Sequence, residues 1–299
     1  MGIRVKILLI PDKDIVAILR FFISTKSPLV SYLSLEVQFV AMAGHETAIP
    51  TGSWILVTGA TGYIASHIIK QFLERGYKVR GTVRDLSKAT WIQEELFIEE
   101  SQRGDLSLVQ VRDLGAEKAF DQAVKGISAI VHVATISSLD PDPHHVITKD
   151  VSGMKSLLNA AAMEPSVKRF VYTSSFVTAA MPIPDVEIYV GPDTFNDAAV
   201  TMAWAPPPYE NSRGMLVYMA SKTEAERAMW RFVSEEKPNF IVNTVSPLMT
   251  IGTLLHNNYL RAGGTPSWLD GLFHGDPSFV ANIPASKSHQ LLTHGQKLT

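Results

Sequence analysis

The sequence predicts an α/β fold built on a doubly wound parallel sheet, and three observations carry that reading. A short apolar run at 54–58 leads directly into Gly59-Ala60-Thr61-Gly62-Tyr63-Ile64-Ala65. Ile64, Ile68, Ile69, Phe72 and Leu73 then recur at helical spacing as far as Gly76, and 77–83 resumes as a strand. Further apolar segments at 106–111, 127–134, 167–173 and 240–245 alternate with stretches long enough to be helices. That order gives parallel strands with helices on both faces, the Rossmann-type arrangement.

The glycine turn is the most informative stretch. Gly59 permits a tight exit from the first strand, and Gly62 lets backbone approach a pyrophosphate with no side chain in the way. Ala65 is small enough for close packing of helix on sheet. The free N–H groups of the following helix then face the phosphates. The turn predicts dinucleotide binding because it lies between a strand and a helix within a βαβ unit. The second strand ends in Arg84 rather than in an acid that would accept from a ribose 2′-hydroxyl. An arginine suits a 2′-phosphate, so NADP(H) is preferred over NAD. The competing reading is that Arg84 and Lys88 are solvated surface charges. Asp85 is expected to start the next helix.

Beyond Arg84, a polar helical stretch is expected to about Ser101, then a strand at 106–111 that leaves through Arg112-Asp113-Leu114. A helix is expected at 115–126 and a strand at 127–134. A loop and a long helix follow, to about Met163, then a strand at 167–173 closed by Ser174 and Ser175. Ligands of such sheets sit outside the carboxyl ends of the strands, which points to Asp113, Ala134, Thr135, Ser174 and Ser175. His132 lies inside an apolar strand and reads as a core histidine. His144 and His145 lack further ligands at metal spacing, so no metal is expected.

Residues 176–214 break the rhythm. The stretch is rich in proline, at Pro182, Pro184, Pro192, Pro206, Pro207 and Pro208. It reads as an irregular insertion lining a substrate pocket, with an apolar helix at 198–204. The helix expected at 215–233 puts Tyr218 and Lys222 on one face, one turn apart. A last strand at 240–245 is followed by Ser246-Pro247-Leu248.

Composition narrows the function classes. With 299 residues, 46% of them hydrophobic, the chain can bury a large core. A net charge of −2 gives no electrostatic case for nucleic acid or an anionic membrane. There is no cysteine, which rules out a disulfide scaffold, a thiolate nucleophile and a zinc–sulfur site, and fits a cytoplasmic protein. No apolar stretch approaches the roughly 18 residues of a spanning helix. The organisation expected is an extension at 1–49, a dinucleotide-binding domain at 50–250 and a partial, incomplete substrate-binding region at 251–299. The segment upstream of Met42 reads as lying outside the functional fold, and the polar tail beyond about Ala285 as a departure.

TGATGYIAS, the Thr-Ser-Ser closing the fifth strand, and Tyr218-Met-Ala-Ser-Lys222 together resemble the extended short-chain dehydrogenases/reductases. TVRD around Arg84 and FNDAAVTMAWAPPPYENSRGMLVYMASKTEAE resemble the fungal aldehyde and ketone reductases of the dihydroflavonol-4-reductase-like branch. The resemblance covers about 50–252. It implies catalysis by Ser175, Tyr218 and Lys222, with Ser174 as the alternative serine, acting on a small-molecule carbonyl. It implies cofactor contacts from Gly59, Thr61, Gly62, Tyr63, Ile64, Arg84, Asp113, Leu114, Ala134, Thr135, Tyr218, Lys222 and Pro247. Pro247 could equally just end its strand. A lysine one turn from a tyrosine is expected to lower the phenol pKa and favour proton transfer. Three alternatives stay open: an NAD-dependent epimerase or dehydratase, a dinucleotide-binding protein without catalysis, and a cofactor-sensing regulator.

Overall fold

A computed structural model describes residues 48–181, 189–191, 193–248, 250, 252–262 and 264–275. The upstream extension, Pro182, Pro184, Pro192 and the polar tail lie outside the described residues. Six parallel strands form one sheet: β1 (Trp54–Val57), β2 (Lys78–Val83), β3 (Leu106–Gln110), β4 (Ala129–His132), β5 (Arg169–Thr173) and β6 (Ile241–Val245). Their order across the sheet is β3-β2-β1-β4-β5-β6. Strand order therefore reverses between β1 and β4, where an open sheet of this kind forms its ligand crevice.

Alternation within each strand feeds two cores. In β4, Ala129 and Val131 face one layer while Ile130 faces the other. In β1, Ile55 and Val57 pack with the first layer and Leu56 with the second. The first layer holds α1 (Tyr63–Glu74), with Ala65 and Ile69 fully buried. The second holds α3 (Pro143–Met163) and α5 (Gly214–Glu236), which contribute Met154, Leu157, Leu158, Ala225 and Met229. Apolar side chains covered on both faces supply most of the driving force, at roughly 25 cal/mol per Å² buried.

Two expected helices take other forms. The stretch after Arg84 divides into a 3₁₀ turn at Leu86–Lys88, a π turn at Ile92–Leu96 and a short α2 (Ile98–Gln102). The division turns Trp91, Ile92 and Phe97 inward while Ile98 stays exposed. Asp85 caps the 3₁₀ turn through Ser87 N–H, as its position suggested. Residues 115–126 form consecutive turns instead of a helix. Lys118 has a left-handed φ of 57°, which interrupts a helix, yet Phe120 and Val124 still reach the core. In the proline-rich insertion, α4 (Asp197–Ala203) forms where an apolar helix was expected, capped by the Asn196 side chain. The 3₁₀ turn Asn257–Ala262 and α6 (Thr265–Phe273) end the described chain.

His132 is the polar side chain that β4 turns inward. Thr58 Oγ1 accepts from the N–H groups of Val133 (2.9 Å) and Ala134 (3.0 Å). Its own proton therefore goes to His132 Nδ1, 2.9 Å away. The ring stacks on Tyr172 with centroids 5.6 Å apart. Burial, and then the nearby Lys222 charge, hold its pKa down at about 3.

Gly153 sets how closely α3 meets the loop after β3. A Cβ there would lie 2.9 Å from Leu114 O, a backbone atom that cannot rotate away. Gly153→Ala should therefore destabilise the fold despite the ~1 kcal/mol helix propensity gain, because overpacking costs about 1–3 kcal/mol. A thermal melt reads this as a fall of a few degrees, and an unchanged Tm would refute the close approach. His132 gives a second expectation. Its folded pKa is depressed, so the unfolded chain binds the extra proton and stability falls as pH drops below about 6.5. Urea unfolding at pH 6.5 and pH 5 should show wild type losing about 2 kcal/mol more than His132→Gln, by the linkage over 1.5 pH units. Equal losses in the two proteins would contradict it.

Candidate active site

The strand ends at the β1/β4 reversal build the site. Gly59 adopts a left-handed φ of 72°, and a Cβ on it would sit 3.2 Å from Ala134. The turn after β1 and the loop after β4 are thus in contact, and glycine is required on both counts. A Cβ on Gly62 would lie 3.1 Å from Gly59 O. Gly62 is the N-cap of α1, no side chain caps it, and the first turn holds no acid. Thr61 and Ile64 flank it half-buried, and Tyr63 is buried with its ring edge-on to His67. A tight backbone cradle with open N–H groups at a helix start fits a pyrophosphate.

The flanks of the crevice follow the same edge. Arg84 is exposed, and its backbone carbonyl accepts from Gln110 Nε2 at 3.0 Å. Among the described residues no protein group pairs with its guanidinium, whereas Lys88 lies 4.0 Å from Asp85. Asp113 is exposed, and its carboxylate accepts from Gly115 N–H at 2.9 Å. Leu114 is half-buried against Gly153. Thr135 Oγ1 donates to Asp150 at 3.0 Å. Pro247 O accepts from Phe176 N–H at 3.0 Å, joining the loops after β5 and β6.

The two serines after β5 part company. Ser174 is buried and donates to Glu226 of α5. Ser175 lies beside the Tyr218 phenol and lowers its pKa. Lys222 is also buried; its ammonium donates to Thr173 O at 2.8 Å and lies 4.5 Å from the Tyr172 ring centre. The sequence led us to expect a tyrosine made more acidic by its lysine. The structure departs from that. Burial raises the Tyr218 pKa, the Ser175 hydroxyl pulls it partly down, and the Asp150 charge raises it again. The lysine charge is aimed at the end of β5 and so gives the phenol no such help. Burial lowers Lys222 itself to about 8, against the opposing pull of Asp150 and Glu226. A raised phenol pKa keeps the proton in place at neutral pH, the form in which a tyrosine acts as an acid.

Sequence reading missed three groups that meet here: Asp150, Ser221 and Glu226. Each had a signal. Asp150 falls between Ile147 and Met154 on the buried stripe of α3, where an acid needs a reason. Glu226 follows Lys222 by four residues on the same face of α5.

Comparison with known proteins places this geometry. The family model described as "NAD dependent epimerase/dehydratase family" matches residues 55–248. A relative from Aspergillus terreus, described as an NAD-dependent epimerase/dehydratase, is 44% identical over 237 residues, covering 79% of this chain and 68% of its own. Aldehyde reductase 2 of Sporidiobolus salmonicolor is 41% identical over 239 residues, covering 79% of this chain and 69% of its own. Among solved structures, the yeast methylglyoxal/isovaleraldehyde reductase Gre2 complexed with NADPH superposes with a TM-score of 0.62 at 25% identity. That match covers 74% of this chain and 66% of Gre2. The chain spans about two thirds of the length of such relatives. With the matching segment running through the glycine turn, the β5 serines and Tyr218-x-x-x-Lys222, the chain belongs to the NAD-dependent epimerase/dehydratase family.

Proposed function

We propose that the chain binds NADP(H) across residues 50–250 and reduces a small aldehyde or ketone to the alcohol. The substrate pocket in this reading is formed by 176–214 together with 251–299. The observation that carries it is the placement of the Ser175 hydroxyl beside the Tyr218 phenol, where it lowers the phenol pKa against the effect of burial. It lies at the carboxyl edge of β5, one strand from the Gly59–Ala134 contact. Two neighbouring hydroxyls can give a carbonyl oxygen two donors where negative charge develops. The bound nicotinamide supplies the hydride. Ser175 orients the carbonyl, and Tyr218 gives its proton to the oxygen. Lys222 donates to Thr173 O, and in this reading it holds the end of β5 and the Ser175 that follows it in place. Relatives named aldehyde reductase and ketoreductase support the same reaction class.

Two substitutions test the assignment. Tyr218→Phe removes the proton donor and little volume. NADPH consumption against a panel of aldehydes and ketones should fall about a hundredfold or more, while the NADPH Kd by fluorescence changes little. Turnover surviving at wild-type rate would overturn the role. Arg84→Asp replaces a group suited to the 2′-phosphate with a repelling one. It should weaken NADPH binding by about tenfold or more, the worth of a charge-assisted contact, and leave NADH binding nearly unchanged. An unaltered NADPH-to-NADH ratio would remove Arg84 from the site.

A further inference from the structure

We propose that Asp150 is a positioning residue that ties the loop after β4 to the helix bearing Tyr218 and Lys222 and supplies a buried charge on the Lys222 side of that seam. This rests on the proposed reading of the site. Asp150 lies within α3, 8% exposed, and its carboxylate accepts three hydrogen bonds. Thr135 Oγ1 donates from 3.0 Å and Ile136 N–H from 3.0 Å, both on the loop after β4. Ser221 Oγ donates from α5, one residue before Lys222. One carboxylate therefore holds the wall that carries Ala134 and Thr135 against the helix that carries the proposed acid. A neutral side chain of the same length could fill the space. It could not accept from all three donors or offset a buried ammonium.

The groups facing Lys222 divide by element. Asp150 comes from α3, Glu226 from α5 and Tyr172 from β5, while neutral His132 comes from β4. The two acids oppose the desolvation of the lysine, and Glu226 is already engaged by Ser174 and by Trp230 Nε1–H. Asp150 itself is pushed up by burial, with its three hydrogen bonds and Lys222 working against that shift. The acid and the lysine thus stabilise each other's charged form across the α3–α5 seam.

The test reads Lys222 directly. The full chain is labelled with 13C-lysine and its Cε shift is followed against pH, with the Lys222 signal assigned by its loss in Lys222→Met. The wild-type midpoint should lie near 8. Asp150→Asn should lower it by about one pH unit, the effect of removing an opposite charge nearby. Ser221→Ala removes one hydrogen bond from the carboxylate and should move the midpoint the same way by less, so it decides the matter if Asp150→Asn does not fold. A merely structural role would change Tm and leave the midpoint in place. An unmoved midpoint in a folded variant overturns the proposal. The reading of the reaction is judged separately, by Tyr218-dependent turnover. With that turnover present, Asp150→Asn should cut kcat about fivefold near pH 8 and hardly at pH 6, where the lysine keeps its charge unaided. An equal loss at both pH values would also overturn the role. Should Tyr218-dependent turnover be missing while the midpoint still falls, the charge-holding role stands and the reaction reading fails.

Discussion

The site depends on one hydroxyl. Thr58 ends β1 and ties it to the end of β4 through three hydrogen bonds, to Val133 N–H, Ala134 N–H and His132 Nδ1. These bonds satisfy two backbone donors just beyond the last ladder pair of β1 and β4, where chains that part to admit a ligand would otherwise leave them orphaned. They also fix Ala134 against Gly59, and hence the width of the crevice floor. A serine could make the same bonds but would lack the methyl group. A valine would leave three polar groups buried without partners, at about 1–3 kcal/mol each.

Above that joint the protein concentrates charge in an apolar seam. Lys222, Asp150 and Glu226 are all buried, and burying such groups costs several kcal/mol per ion before pairing. Such a seam is a poor device for stability, since well-packed apolar side chains would do as well or better. Its effect is local. It places a cation at the end of β5 with acids behind it, while Tyr218, beside Ser175, keeps its proton. In the proposed reading that protonated phenol is the group ready to give a proton.

Much of this was legible in the sequence because backbone requirements leave residue signatures. The glycine turn, the strand alternation and Gly76 with its left-handed φ of 77° each followed from local chemistry, and so did the capping by Asp85. The run at 115–126 misled because Phe120, Ala123 and Val124 mimic a helical stripe. Tertiary packing buries them on a chain of turns bent at Lys118. The acidity of Tyr218 misled for a different reason. Spacing along a helix places two side chains on one face but says nothing of where a long lysine stem points. Here the buried carbonyl of Thr173 and the Tyr172 ring direct it. The partners of Asp150 come from segments separated by 14 and 71 residues, a relation that no local pattern records.

The segment after β6 was read as only a partial region, yet part of it belongs to the core of the dinucleotide half. Tyr259 is fully buried beside Trp91, in edge contact with centroids 4.9 Å apart, and His256 stacks on the same indole at 4.7 Å. Leu254 and Leu255 pack on the layer that holds α1, and His67 of α1 bonds Thr253 O at 2.9 Å. A Cβ on Gly252 would come 2.9 Å from the Tyr63 hydroxyl, so the chain crosses close over the first turn of α1. α1 is therefore packed on its outer side by residues from beyond β6. An aromatic pair such as Trp91 with Tyr259 contributes about 0.5–1.5 kcal/mol beyond its buried area. Loss of that packing would loosen the first turn of α1, the turn that holds the pyrophosphate in the proposed reading.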